Sequence, residues 1–547
     1  MSILFKILSS KHLTILAVLS WLVAIVYSAW FIHPKVDDGI YLIPAISTLE
    51  FNFPGVNFSN SVEPIFFIFP TQPFLHGVFL KILSFIYIDI NINTYRLFNS
   101  LSVLILLYFT HKLFLIIFSN HDKQRSATNI AFILLGGFSQ FSLQFYINRP
   151  EILGLVFFIL GLIYLIKFIK KIDNSEKNIS VACFHFGLCS IIHPNFLLLS
   201  VAAFIYCIYL ILIYKKNIYL KFTSTFFVPL AAFICWFLVN IDSATDQLFN
   251  RVQEVTTISF PALSYIFSVL FGDNSISAIH NIYLQLHMLT LILVLVSLLF
   301  YLVKDSDKKK GLHINKLFKV LGIVVFIILL LMQPYRPNYL LVSYLSIITL
   351  SFFIVSHGLR ISSILEKNYL SSFRASLLFC CLGLMTLSVP ILHLAKNYVS
   401  NGMNDNHHKT LEALTPFLHN NQHIFITTAQ LLPLFSNNIH NDFKNTARSK
   451  SRNIHWYFPV ANSPGDAFKK LMSDDIKNEQ NIMNSALWGA LNITTVFNES
   501  MTIACLSLKG GKNVINLHKP QLVFQDKQNI FLTSSEVTPS TKCLINE

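Results

Sequence analysis

Residues 151–169 decide the fold: they read EILGLVFFILGLIYLIKFI, and Glu151 and Lys167 are the charged residues in that run. A helix of about 20 such residues covers the ~30 Å of hydrocarbon in a bilayer. Of the 547 residues in the chain, 54% are hydrophobic and 12% are charged. In soluble domains the hydrophobic share averages about 45–50% and the charged share about 25%. The sequence therefore predicts a polytopic membrane protein.

Comparable apolar runs recur up to Leu394, after which mixed polar sequence follows, with short β-like runs such as those at 423–428 and 494–498. This pattern predicts a mainly α fold: a transmembrane helical bundle of about 11 to 13 helices over residues 1–394. A soluble α/β domain is predicted over 395–547. The predicted spans lie near 13–32, 97–118, 129–147, 151–169, 179–192, 194–213, 220–240, 283–303, 315–333, 338–356 and 374–394.

The net charge of +14 is dispersed between the apolar runs. Because no basic stripe with interleaved aromatic residues is present, nucleic acid is not an expected partner. With the N-terminus in the cytoplasm, the basic clusters alternate as the positive-inside rule requires. The clusters that this topology places inside lie at 123–125, 170–177, 215–221, 304–310 and 360–374.

The apolar segment 64–90 lies in the first predicted outer loop, 33–96. A single crossing of the membrane there would move every later loop to the opposite side of the membrane. We therefore predict a helix or hairpin in the outer membrane interface, broken by Pro70 and Pro73. An ordinary spanning helix, with a miscount elsewhere, is the alternative.

Cysteine is used mainly as a small apolar residue, since six of the eight cysteines fall inside apolar runs. No CxxC or Cys/His spacing typical of a metal site appears. Cys505 and Cys543 are the two that could form a disulfide, and their pairing stays open.

Asp37 and Asp38 directly follow the first predicted helix, and Glu63 lies further along the same loop. Two adjacent carboxylates near a membrane surface can differ in pKa, so that one acts as a base while the other binds a hydroxyl or a cation. A solvated Asp-Asp-Gly turn is the alternative interpretation.

Four cationic or potentially cationic residues are predicted at the outer ends of other helices or in outer loops: Arg149, His193, Arg251 and Arg336. Glu151 accompanies Arg149 in NRPE. Arginine suits phosphate oxygens, so these residues are candidates for binding a phosphate donor. Each has a simpler alternative: Arg149 could pair with Glu151, His193 could cap a helix, and Arg336 could be interfacial.

The stretch DDGIYLIPAISTL at 37–49 resembles the GT-C glycosyltransferases, in the branch of the protein O-mannosyltransferases and the bacterial aminoarabinose transferases. Further matching stretches are EPIFFIFPTQPFLHGVFLKI at 63–82, YRLFNS at 95–100, NRPE at 148–151 and HPN at 193–195. The pattern covers residues 10–200, and the rest resembles the family in architecture alone.

The resemblance implies an inverting transfer of a sugar from a polyprenyl-phosphate carrier to an acceptor hydroxyl. Asp37 matches the catalytic base of the family, and Asp38 would orient the sugar or the acceptor. Glu63 is a possible acceptor or metal contact, and a divalent cation is a possible cofactor. The acceptor, a glycan, lipid or protein, would lie outside the cytoplasmic (inner) membrane of a bacterium, with the C-terminal domain in the periplasm.

Three other functions stay open. A lipid-linked saccharide transporter or flippase would need charges along a pathway, whereas few charges fall within the predicted spans and no internal repeat is evident. A surface-polysaccharide polymerase or ligase also combines many helices with outer Arg and His residues. A non-catalytic anchor that presents the C-terminal domain to a partner would need only one span, far fewer than the sequence predicts.

Overall fold

The structure is a computed structural model of the chain. It describes residues 8–31, 36–58, 61–66, 69–137, 149–171, 175–193, 195–214, 220–242, 244–245, 309–331 and 339–366, together with short segments between 422 and 534.

Helices make up most of this part of the chain. They are α1 (Lys11–Phe31), α2 (Val36–Phe51), α3 (Thr71–Phe85), α4 (Ile92–Ile117), α5 (His121–Gly137), α6 (Pro150–Lys170), α7 (Ser175–Ser190), α8 (Asn195–Ile213), α9 (Leu220–Thr223), α10 (Phe227–Val239), α11 (Lys309–Leu331) and α12 (Tyr339–Glu366).

Four helical stretches in the described part are long and apolar enough to cross a membrane: Ile92–Ile117, Pro150–Lys170, Phe196–Ile213 and Leu220–Val239. Shorter apolar helices run over Lys11–Val23 and Tyr344–Ser356. The chain is therefore a membrane protein with a mainly helical fold. The predicted spans at 283–303 and 374–394 lie outside the described residues, so the total number of helices stays a prediction.

Helix α6 shows why these residues form a buried span. Pro150 occupies its first turn, where a missing N–H costs nothing, and Lys171, with φ 57°, ends it in the left-handed conformation. Lys167 and Lys170 in the last turn complement the negative end of the helix dipole. In its apolar window 72% of the residues are buried inside the protein, so α6 lies at the centre of the bundle.

Glycines let the neighbours of α6 approach closely. A Cβ on Gly154 would lie 2.6 Å from the ring of Phe196, and one on Gly161 would lie 2.5 Å from the ring of Phe186. Such small residues at helix crossings are typical of membrane bundles, where packing replaces the hydrophobic drive between helices.

The segment 64–90 forms the short helix α3 rather than a long span. Strands β1 (Gly55–Phe58) and β2 (Ser61–Pro64) make an antiparallel hairpin before it. The 15 residues of α3 extend roughly 22 Å, less than the ~30 Å hydrocarbon core. Contrary to the predicted break, Pro70 directly precedes the helix and Pro73 lies in its first turn, where proline is tolerated.

The described part of 395–547 contains a five-stranded sheet. Its strands are β3 (Gln422–Ile426), β4 (Ile454–Trp456), β5 (Asn492–Asn498), β6 (Gln521–Gln525) and β7 (Asn529–Ser534), in the order β4-β3-β5-β7-β6. The pairs β3·β4 and β5·β7 are parallel, and β3·β5 and β6·β7 are antiparallel. The β-like runs predicted at 423–428 and 494–498 overlap β3 and β5.

Candidate functional site

The two adjacent aspartates open a helix. Asp37 and Asp38 occupy the first turn of α2, a few residues after α1 ends at Phe31. Carboxylates in a first turn interact favourably with the positive end of the helix dipole. The chain therefore continues as helix where the alternative interpretation has a solvated turn, and the side chain of Asp38 is fully buried. The side chain of Asp37 lies outside the described part of the chain.

Asp38 pairs with an arginine of the next long helix. Arg96 Nη2 lies 3.4 Å from Asp38 Oδ2, and both side chains have 0% exposure. The hydroxyl of Tyr95 donates a hydrogen bond of 2.6 Å to the main-chain oxygen of Asp38. Removing one partner of a buried ion pair typically costs about 3–5 kcal/mol, because the other charge stays buried without compensation. Asp38 thus attaches the start of α2 to the start of α4 through both its side chain and its main chain.

A buried histidine packs on this attachment. The ring of His76 in α3 stacks on Tyr95, with centroids 4.5 Å apart, and on Phe98, at 4.6 Å. Burial lowers the pKa of His76 to about 3, although a hydrogen bond with the backbone of Tyr95 acts in the opposite direction. His76 is therefore neutral at physiological pH.

Helix α3 crosses α2 at very short range next to this histidine. A Cβ on Gly77 would lie 2.5 Å from the carbonyl oxygen of Ala45 and would also overlap the side chain of Thr48. Only glycine fits there without displacing a backbone, so α2, α3 and α4 form one tightly packed unit.

Arg149 and Glu151 form a second buried ion pair. Arg149 Nη2 lies 2.7 Å from Glu151 Oε1, and Arg149 Nε donates to Glu151 Oε2 at 3.2 Å. Arg149 is 8% exposed and Glu151 is fully buried. The simpler alternative for Arg149, that it pairs with Glu151, is what the structure has. The pair fixes the orientation of the guanidinium at the start of α6.

His193 lies in the turn between α7 and α8. It is half-buried, and its carbonyl oxygen accepts a hydrogen bond of 3.0 Å from Phe196 N. Two residues earlier, the carbonyl oxygen of Ile191 accepts a hydrogen bond of 2.7 Å from the hydroxyl of Thr71, the first residue of α3. The start of α3 and the His193 turn are therefore at the same end of the bundle.

Other predicted site residues are described in part or not at all. Glu63 lies in β2 opposite Val56 of β1, and its side chain is outside the described part. Arg251 and Arg336 lie outside the described residues, as do Cys505 and Cys543. Among the side chains that are described, no three His, Cys, Asp or Glu residues lie together as metal ligands would.

Tyr95 and Arg96 lie in the matching stretch 95–100 and His76 lies in the stretch 63–82, but the sequence alone indicates no role for any of them. A signal for Arg96 was present, because an ionised side chain in the first turns of an apolar helix needs a partner of opposite charge. For His76 and Tyr95 the chain offers no comparable local signal, since both contacts join residues from separate helices.

A further contact links the membrane half to the C-terminal part. His440 Nε2 lies 2.5 Å from Glu50 Oε1, in the last turn of α2, although the two residues are 390 positions apart. Their side chains are 9% and 18% exposed. The helix that opens with the aspartate pair thus ends at a contact with the segment between β3 and β4.

No protein-family model matches the sequence, and neither does a curated protein. Among solved structures, ArnT from Cupriavidus metallidurans in the apo state matches with a TM-score of 0.45 and 13% identity, over 80% of this chain and 72% of that one. ArnT bound to undecaprenyl phosphate matches with a TM-score of 0.43 and 12% identity, over 79% of this chain and 76% of that one.

An oligosaccharyltransferase from Archaeoglobus fulgidus, tethered with an acceptor peptide, matches with a TM-score of 0.40 and 14% identity over 70% of this chain. This chain spans 55% of that protein's length.

Proposed function

We propose that this protein is an inverting glycosyltransferase that moves a sugar from a polyprenyl-phosphate donor to an acceptor hydroxyl at the outer face of the membrane. The observation that carries the proposal is the aspartate pair in the first turn of α2, directly after α1. Asp38 is engaged with Arg96, so we assign the role of general base to Asp37.

In this reaction Asp37 takes the proton of the acceptor hydroxyl while the acceptor oxygen attacks the anomeric carbon from the side opposite the phosphate. The new carbon–oxygen bond forms as the bond from the anomeric carbon to the phosphate oxygen breaks. The electron pair leaves with the lipid phosphate, the configuration inverts, and the proton remains on Asp37.

The departing phosphate needs positive charge or hydrogen-bond donors that are already in place. We assign this task to Arg149, Arg251, Arg336 and His193. Glu151 holds the fork of Arg149 in a defined orientation, and a fixed guanidinium can recognise phosphate oxygens through two parallel hydrogen bonds.

We further propose that residues 1–394 form a GT-C-type bundle in the inner membrane of a bacterium and that residues 395–547 form an α/β domain that faces the periplasm. The acceptor would be a glycan, a lipid or a protein of the cell envelope. If a divalent cation takes part, Glu63 is the candidate carboxylate ligand, because Asp38 is committed to Arg96 and Asp37 is the proposed base.

The test is transfer of radiolabelled sugar from a panel of polyprenyl-phosphate sugars to cell-envelope acceptors by the purified, reconstituted protein. Asp37→Asn should lower transfer by at least about 100-fold, the usual contribution of a general base. Asp89→Asn, in the exposed loop before α4, is the matched control and should keep full activity.

Transfer by Asp37→Asn at the wild-type rate would remove Asp37 from the base role. Accumulation of the lipid-linked sugar in vesicles without any covalent product would instead indicate a transporter.

A further inference from the structure

Tyr95 and Arg96 are adjacent on α4, and both bind Asp38. The Tyr95 hydroxyl donates a hydrogen bond of 2.6 Å to the main-chain oxygen of Asp38, and Arg96 pairs with the Asp38 carboxylate at 3.4 Å. One contact holds the main chain of Asp38 and the other holds its side chain. Together they leave the first turn of α2 little freedom to move.

We propose that Tyr95 and Arg96 are positioning residues for Asp37 and that Asp38 is the anchor through which they act. This inference rests on the proposed function. Because Asp37 precedes Asp38 in the same helical turn, any shift of Asp38 moves the backbone of Asp37 by a similar amount. The carboxylate of Asp38 thus serves the reaction from inside the protein, without contact with the substrate.

The packing around Tyr95 supports this role. Its ring is fully buried and stacks on His76, whose own ring also stacks on Phe98. The close crossing at Gly77 holds α3 against α2. The Tyr95 hydroxyl is therefore held against Asp38 by closely packed neighbours. A residue that positions a reacting group has to be held rigidly in this way.

The variant that isolates this role is Tyr95→Phe, because it removes the hydroxyl and keeps the stacked ring. A displacement of about 1 Å in a reacting group can cost on the order of 100-fold in rate. We expect kcat for sugar transfer to fall by roughly 10- to 100-fold, with the KM for the donor within about twofold of the wild type. Tyr108→Phe is the matched control on the same helix, since Tyr108 is 57% exposed, and it should leave kcat unchanged.

A double-variant cycle with Asp37→Glu separates positioning from simple loss of folded protein. Asp37→Glu already displaces the carboxylate, so Tyr95→Phe should cost much less in that background than in the wild type. Equal losses in both backgrounds would mean that Tyr95 does not act through Asp37, and would overturn the proposal. Wild-type kcat in Tyr95→Phe would overturn it as well.

Failure of this inference can be told apart from failure of the proposed function. If the wild type transfers no sugar, the proposed function fails, and the positional claim is still measured by a thiol introduced with Asp37→Cys. Its labelling rate with a small maleimide should change when Tyr95→Phe is added and stay constant when Tyr108→Phe is added. Identical labelling rates in all three proteins would contradict the claim that Tyr95 holds this turn.

Discussion

His76 is a neutral imidazole inside the unit formed by α2, α3 and α4, and its burial makes folding sensitive to acid. Its pKa in the folded protein is lowered to about 3, whereas an exposed histidine titrates near 6.5. Below about pH 6.5 the unfolded chain binds a proton at this position that the folded protein does not bind until about pH 3. Stability is therefore lost as the pH falls through this window, by up to about 1.4 kcal/mol per pH unit.

We expect His76→Phe to flatten the acid side of the stability curve between about pH 6 and pH 4. Thermal unfolding of the detergent-solubilised protein at a series of pH values measures it. His121→Gln, which changes an exposed histidine, should leave the slope of the wild type intact. An unchanged slope in His76→Phe would show that the acid sensitivity arises elsewhere.

At the level of residues, the pairing of Arg149 with Glu151 was one of the alternatives that the sequence offers, because the two residues lie two positions apart in the chain. The partner of Asp38 could not be predicted. Arg96 is 58 residues away, and nothing local tells which of several outer cations it meets. Long-range pairing depends on how helices pack, and hydropathy does not encode that.

At the level of elements, the crossing of α3 over α2 depends on Gly77. In an ordinary helix interior, replacing glycine with alanine stabilises the helix by about 1 kcal/mol. Here the added Cβ would press on the carbonyl oxygen of Ala45, so the overlap should prevail and Gly77→Ala should destabilise by about 1–3 kcal/mol.

The unfolding midpoint of Gly77→Ala, compared with that of Val78→Ala, tests this expectation. Val78 is 37% exposed on the same helix, so its truncation should cost less. A midpoint at or above that of the wild type would mean that α2 and α3 can separate at little cost.

The elements themselves were predictable to different degrees. The spans at 151–169 and 194–213 stand out because uniform apolarity over about 20 residues leaves few other folds. By contrast, α2 has no such run: VDDGIYLIPAISTLEF combines acids, a proline and β-branched residues. Contacts with α3 and α4 stabilise it, so its helical state follows from tertiary packing more than from local propensity.

At the level of the whole molecule, the C-terminal part meets the membrane half at Glu50 and His440, 2.5 Å apart. A glutamate in the last turn of a helix is unfavourable beside the negative end of the dipole, and a histidine partner offsets that cost. Helix α2 therefore carries the proposed base at one end and a contact with the C-terminal part at the other. This arrangement links the position of the C-terminal part to the helix that carries the proposed reaction.

The closeness of these two residues can be trapped covalently. The double variant Glu50→Cys with His440→Cys should be joined by a short bis-methanethiosulfonate cross-linker, because side chains that touch at their tips leave the two shorter thiols separated by a gap that such a reagent spans. Pairing Glu50→Cys with Asn437→Cys, an exposed position in the same segment, is the control and should cross-link poorly. The readout is a mobility shift of the chain, reversed by reductant, after cleavage at a protease site inserted between residues 394 and 422.

Equal cross-linking in both pairs would mean that the C-terminal part moves over α2 rather than docking at Glu50. A single efficient cross-link would establish a fixed contact, and the effect of that cross-link on sugar transfer would then tell whether the reaction needs the contact to open.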